Sequence, residues 1–196
     1  MFYQITNLIL FGIVAAFTPG PNNISAAYSG FNFGFRKTIP LMLGVIFGWT
    51  TLLVFMELGL VIVFKQISFL QTIVKFLGSL FLIYLAYKIA FSNIKKNNVL
   101  KKPIRFIDMF LFQFINTKSV VISMTVVSTF IDVQDNYIRD VILVTLVGFF
   151  MAVFSISSWC LLGKYLRKFV TSDKFIKNFN YTMSFLLIVC VIMFYV

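Results

Sequence analysis

The sequence predicts an all-α integral membrane protein of six transmembrane helices, and four observations carry that prediction. Hydrophobic residues fill 60% of the 196 positions, mean hydropathy is +0.97, and charged residues are only 12%, about half their share in soluble domains. Twenty-six phenylalanines on so short a chain could not all be buried in a water-soluble core. Six apolar stretches can be drawn, each long enough for a bilayer core of about 30 Å at about 1.5 Å per helical residue. Between them, Lys and Arg fall overwhelmingly on alternate connections, the pattern that sets membrane topology.

The first span is placed at 4–28. It contains Phe17-Thr18-Pro19-Gly20-Pro21-Asn22-Asn23 where a membrane helix should be continuous. Proline removes a backbone donor and clashes with the carbonyl four residues back, and glycine adds backbone freedom. Hydrocarbon offers no water to the freed groups, so this break must face protein or a wet cavity. No Lys or Arg precedes Arg36, so a signal-peptide n-region is missing and the segment is expected to stay as a span. Residues 30–37 join it to the second span, 39–64, and Lys65-Gln66-Ile67-Ser68 leads on to the third, 70–91. The longest polar stretch, 92–105, carries Lys95, Lys96, Lys101 and Lys102. The fourth span, 106–130, holds Asn116-Thr117-Lys118-Ser119 at mid-depth. Asp132 and Asp135 lie in the connection to the fifth span, 138–163, and 164–177 leads to the sixth, 178–196.

Thirteen of the 17 cations lie on the connections between spans one and two, three and four, and five and six; three lie on the other side, and Lys118 is within span four. The basic connections are therefore expected in the cytoplasm, with both termini outside a plasma membrane crossed several times. The chain reads as one transporter domain, 1–196, whose halves, 1–92 and 105–196, are joined by the basic loop 92–105. Three spans per half is odd, so two similar halves would run in opposite directions, as inverted repeats with broken first helices.

Composition also excludes. A net charge of +11 would suggest nucleic acid in a soluble protein; here short-loop cations set topology, and they face the lipid bilayer's headgroups. Cys160 and Cys190 sit in apolar runs and act as small apolar residues. With no histidine in the chain, histidine metal sites and serine–histidine hydrolysis fall away. No cofactor or metal is expected.

The break at Pro19, Gly20 and Pro21 has a structural reading, a kink packed on a neighbouring helix. Two prolines around a glycine, followed by Asn22 and Asn23, exceed what a kink needs and favour a binding site. Its freed amides and carbonyls suit the carboxylate and amino groups of an amino acid. Lys118, beside Asn116 and Thr117, is costly in a span, about 2.5–3.5 kcal/mol on insertion scales; binding or coupling, and snorkelling to the headgroups, both account for it. Glu57 is the one acidic residue well inside a span. An ion pair with Lys75 is favoured; the alternative is proton carriage, since burial raises a carboxyl pKa. Gly44, Gly48, Gly59 and Gly78 read as sites of close helix packing. Tyr3, Tyr28, Tyr137, Trp159, Tyr165 and Tyr195 read as interfacial anchors, whereas Trp49 lies deeper and could wall a pocket or simply pack.

The Thr18-Pro19-Gly20-Pro21-Asn22 run resembles the first-helix signature of the LysE/RhtB family of amino-acid exporters. Gly30, Gly34, Arg36, Gly44 and Gly48 fit its next segment, 75–85 is similar to its third-helix pattern, and Phe112-Gln113-Phe114-Ile115-Asn116-Thr117-Lys118 resembles its Asn-Pro-Lys element. Thr117 stands where the family usually has proline, which predicts a milder second break. Trp49 stands where many members carry an acidic residue. The resemblance covers nearly the whole chain. It implies secondary, proton-driven export of amino acids or related small metabolites. The expected site is Thr18, Pro19, Gly20, Pro21, Asn22, Asn23, Asn116, Thr117 and Lys118, with Glu57 as coupling candidate. It leaves room for a homodimer. The alternatives are export of another small solute, such as a metal cation, and a non-transporting membrane subunit. An enzyme is not expected, because no acid–base pair is evident.

Overall fold

The computed structural model describes residues 2–91, 103–131, 137–169 and 172–195. All regular structure among them is helical. The helices are α1 (Phe2–Phe17), α2 (Pro21–Phe33), α3 (Phe35–Phe55), α4 (Val61–Gln66), α5 (Ser68–Ala90), α6 (Phe106–Ile115), α7 (Thr117–Phe130), α8 (Tyr137–Arg167) and α9 (Asp173–Met193). A short π segment, Met56–Leu60, fuses α3 to α4. Four helical stretches are long and apolar enough to cross a membrane: Phe35–Gln66, Thr72–Ala90, Tyr137–Arg167 and Asp173–Met193. Two bent pairs, α1 with α2 and α6 with α7, complete six spans.

Both bends fall where the sequence places polar residues at mid-depth. Between α1 and α2 the axis turns by 56°, and between α6 and α7 by 61°. The second break is thus no milder than the first, although Thr117 replaces a proline. Asn116 explains this: its backbone is extended (φ −80°, ψ 102°), which ends α6 and caps α7 without any imino acid.

Several span limits shift, and one span is kinked. The first span continues to Phe33, so 30–33 is helix rather than loop, and Gly34 alone, at φ 79°, turns the chain into α3. An L side chain rarely adopts that φ, which accounts for glycine there. The last span starts at Asp173, where Ser172 Oγ accepts from the Phe175 amide at 3.3 Å as an N-cap. The second span is kinked at Gly59, φ 115°. Of the basic loop, Lys95, Lys96, Lys101 and Lys102 lie outside the described residues, as do Asp132 and Asp135.

Alternation of the spans gives the bundle a basic end, with Arg36, Lys37, Lys88, Arg105, Lys164, Arg167, Lys168, Lys174 and Lys177, and an opposite end, where α4 meets α5 and α8 begins. In the basic half α2 lies along α8, and α3 along α6. Glycines set these contacts. A side chain at Gly30 would overlap the Cys160 carbonyl, one at Gly163 the Ala27 carbonyl, one at Gly44 the Phe106 carbonyl, and one at Gly78 the Ile115 carbonyl. Only hydrogen fits, and backbones therefore meet directly. Between these seams lies a core that includes Ile24, Tyr28, Leu41, Met109, Phe112 and Cys160. Tyr28 is 1% exposed: it is a core residue, not an interfacial anchor. The apolar side chains that remain exposed, such as Val14, Leu58, Phe76, Phe150 and Phe185, form the surface expected against lipid.

Candidate functional site

The two breaks meet. Between the α1, α7 and α8 segments of the opposite half lies a cavity of about 100 Å³, floored by the breaks, with room for several waters or one small solute. Gly20, Pro21, Asn22 and Asn23 line it from the first break, and Asn116 and Lys118 from the second. Its walls include Phe11, Trp49, Ile122 and Met151. Trp49 therefore walls a pocket, and Gly148 makes room for it, since a side chain there would meet the indole at 2.9 Å. A smaller cleft shares Leu8 and Val144 with this cavity and reaches Arg139 and Asp140 at the opposite end.

The broken backbone is satisfied from both halves. The Ala16 carbonyl, at the end of α1, accepts from Asn23 Nδ2 at 2.8 Å and Ser155 Oγ at 2.6 Å. The Thr18 carbonyl accepts from Asn23 Nδ2 at 3.1 Å and Lys118 Nζ at 2.8 Å. A cation from span four thus caps the negative end of the α1 dipole. Lys118 points across to the first break. Gly20 makes this approach feasible, because a Cβ there would stand 2.9 Å from Lys118 Cδ and 3.0 Å from Nζ. Thr18 contributes through its carbonyl, while its own hydroxyl donates back to Val14 O.

A second bridge joins the breaks. Asn22 and Gln113 form a reciprocal amide pair, Nδ2 to Oε1 at 2.9 Å and Nε2 to Oδ1 at 3.0 Å. Gln113 is fully buried; its Oε1 also accepts from Ser119 Oγ at 2.9 Å, and its Nε2 donates to Met109 O at 2.8 Å. Sequence reasoning passed over Gln113, Ser119 and Ser155 as site residues. Gln113 did carry a signal, an uncharged amide inside an apolar run. Ser155 carried none, because Ser157 and Ser158 stand beside it.

The electrostatic character of the floor follows from the helix ends. Pro21 opens α2 and has no N–H; the next amides, like the first ones of α7, have no acceptor within their own helix. Two positive helix ends and one ammonium therefore face the same space as the negative end of α1. Asn116 is 1% exposed, and its Oδ1 has no hydrogen-bond partner. Thr117 Oγ1 is likewise buried without a partner, but Thr18, Pro19 and Thr117 do not line the cavity.

Glu57 stands apart. It is buried in the π segment, and the ion pair with Lys75 that the sequence favoured is not formed. Thr145 Oγ1 lies instead 2.9 and 3.2 Å from its two carboxylate oxygens, and Tyr137 Oη donates to its carbonyl at 2.7 Å. The ion pairs formed among the described residues are Arg105–Asp108 and Arg139–Asp140, at 2.8 and 2.9 Å. Within those residues no cluster of three or more His, Cys, Asp or Glu side chains is placed to hold a metal.

The sequence profile of the LysE type translocators matches residues 13–196. The chain belongs to that family. Cysteine/O-acetylserine efflux proteins of Escherichia coli K12 and Shigella sonnei Ss046 are each 30% identical to it over 183 residues, 92% of this chain and 91% of the relative. No solved structure matches it. This LysE type translocator is accordingly a transporter and not an enzyme, and its two family-like motifs are the two breaks that floor the cavity.

Proposed function

We propose that this translocator exports a small neutral amino acid across the plasma membrane, its basic end in the cytoplasm, both termini outside, and its substrate held above the paired breaks. The observation that carries the reading is the convergence, on one cavity, of two positive helix ends and the Lys118 ammonium beside the negative end of α1. A zwitterion matches this set. Its carboxylate faces the α2 and α7 amides and Lys118; its ammonium faces the negative end of α1. A short side chain then points to Trp49, Ile122 and Met151. Relatives named for efflux of cysteine and O-acetylserine support a substrate of this size.

On this reading the halves 1–92 and 105–196 act as inverted repeats, each opening on a helix bent by 56° or 61°, and access alternates around the shared floor. Glu57 serves as proton carrier: a buried carboxyl whose side-chain partner is one hydroxyl exchanges its charge more readily than an ion-paired one. The test is counterflow by the purified protein in liposomes, with labelled cysteine, O-acetylserine, lysine and a divalent cation, with and without a pH gradient. Exchange of the first two, with net efflux faster under the gradient, is expected. Accumulation of the cation alone, or of nothing, would overturn the assignment.

A further inference from the structure

The cavity lies on one side of the floor, the other side is closely packed, and the seal between them is built from identifiable groups. Toward the opposite end, α1, α7 and α8 stand apart around the cavity. Toward the basic end, backbone meets backbone at Gly30, Gly44 and Gly163. The layer between the two regions is the Asn22–Gln113 amide pair, the direct side-chain bond between the first and fourth spans at the floor. One helical turn further, Ala26 on α2 and Met109 on α6 succeed Asn22 and Gln113 on the same faces, and both are 0% exposed.

We infer that Gln113 is the latch of the gate at the basic end, and that its pairing with Asn22 holds the transporter closed toward that end, with the cavity on the far side of the floor. The inference rests on the transport reading above and adds a gating residue to it. Gln113 suits the task because all four of its bonds belong to this layer: two to Asn22, one to Ser119 and one to the Met109 carbonyl of its own helix. The last two orient the amide plane, and the first two cross between the halves. Separation of α2 from α6 breaks both crossing bonds together. An exporter loads from the cytoplasm, so this layer must part in every cycle. A polar pair suits such a joint, since water or a substrate carboxylate can replace each partner, whereas the glycine seams beside it have nothing to exchange.

The latch is positional, so its test reads access rather than rate alone. A full-length protein with Cys160 and Cys190 replaced by alanine, checked for efflux, receives one cysteine, either Ala26→Cys below the latch or Ile122→Cys in the cavity wall. A membrane-impermeant maleimide is then applied from each side. With Gln113 in place, the Ala26→Cys thiol should resist labelling from the basic end and the Ile122→Cys thiol should react from the opposite end. Gln113→Met, which keeps the shape and loses the bonds, should raise Ala26→Cys labelling at least roughly tenfold, the equivalent of about 1.4 kcal/mol, and should slow Ile122→Cys labelling. Asn22→Ala breaks the same pair from the other side and should act in the same direction. Unchanged rates in both variants overturn the latch; so does a rise at both thiols together, which marks loosened packing instead. A reporter cysteine at Lys37 fixes which side the basic end faces, and none of the labelling needs substrate. A wrong orientation or a wrong substrate would therefore register separately from a wrong latch.

Discussion

Gly20→Ala should impair transport without harming the fold, and the reason is the position of one ammonium. Gly20 has extended backbone, φ −165° and ψ 176°, so alanine brings no conformational strain. The added Cβ would stand 2.9 Å from Lys118 Cδ and 3.0 Å from Nζ, short of ordinary carbon contact by about 0.5 Å. Lys118 is a flexible chain and yields, which carries Nζ away from the Thr18 carbonyl it meets at 2.8 Å. A hydrogen bond to a charged group contributes about 1.5–3 kcal/mol, so full removal by Lys118→Met should lower apparent substrate affinity roughly 10- to 100-fold. Gly20→Ala forfeits part of this, about 1 kcal/mol or roughly fivefold. The assay is concentration-dependent counterflow of labelled cysteine in liposomes, with thermal unfolding measured on the same preparations. Because the methyl acts through the ammonium, the double variant should be no worse than Lys118→Met alone. Normal affinity in Gly20→Ala, or losses that multiply in the double variant, would refute the reasoning.

Gly30→Ala, which drives a methyl into the Cys160 carbonyl, should lower stability by about 1–3 kcal/mol, read as a lower melting temperature in detergent; Gly12→Ala, which meets only the Met151 side chain at 3.2 Å, should change it far less. Asn116→Ala removes the unpartnered Oδ1 and should raise the KM for a zwitterion while leaving insertion intact, as measured by counterflow alongside membrane yield. Glu57→Gln should abolish the response of efflux to a pH gradient yet preserve counterflow, because exchange needs no net proton movement; a gradient response that survives assigns coupling elsewhere. Thr145→Val removes the hydroxyl facing Glu57 and should shift the pH at which the gradient response is half-maximal, seen in efflux measured across a pH series.

How much of this was legible in the sequence depends on which physical rule each feature obeys. The six spans follow from hydropathy and length, and both breaks from polar or imino residues where hydrocarbon forbids free backbone. The depth of the second break was underrated because proline was taken as its cause, whereas the backbone of Asn116 suffices. Glu57 was read against Lys75 on the next span, but its partner, Thr145, comes from the fifth span, and threonine in an apolar helix gives no sign of it. The seams were half legible: Gly44 and Gly48 announced close packing, yet the carbonyls that Gly30 and Gly163 receive belong to partners set by tertiary register. Gln113 shows the same limit. An amide inside an apolar run signals a buried hydrogen bond, but only the folded chain names Asn22 as its partner.

The break is stable in this state because the two halves complete each other's hydrogen bonds. Ala16 O and Thr18 O each accept two donors, and one of each pair, Ser155 Oγ and Lys118 Nζ, comes from the second half. If the halves part at the basic end, the Asn22–Gln113 bonds are lost first and Lys118 loses its fixed acceptor next. A buried polar group left unpaired costs about 1–3 kcal/mol, more when it is charged. An empty transporter that opens inward must therefore meet this penalty with water alone. A bound zwitterion offers a carboxylate to Lys118 and the helix amides, and an ammonium to the freed carbonyls. Substrate thereby lowers the very step that a bare gate resists. On the proposed reading, the groups that hold the empty gate shut are the ones a small amino acid replaces, which ties loading to opening without any separate switch.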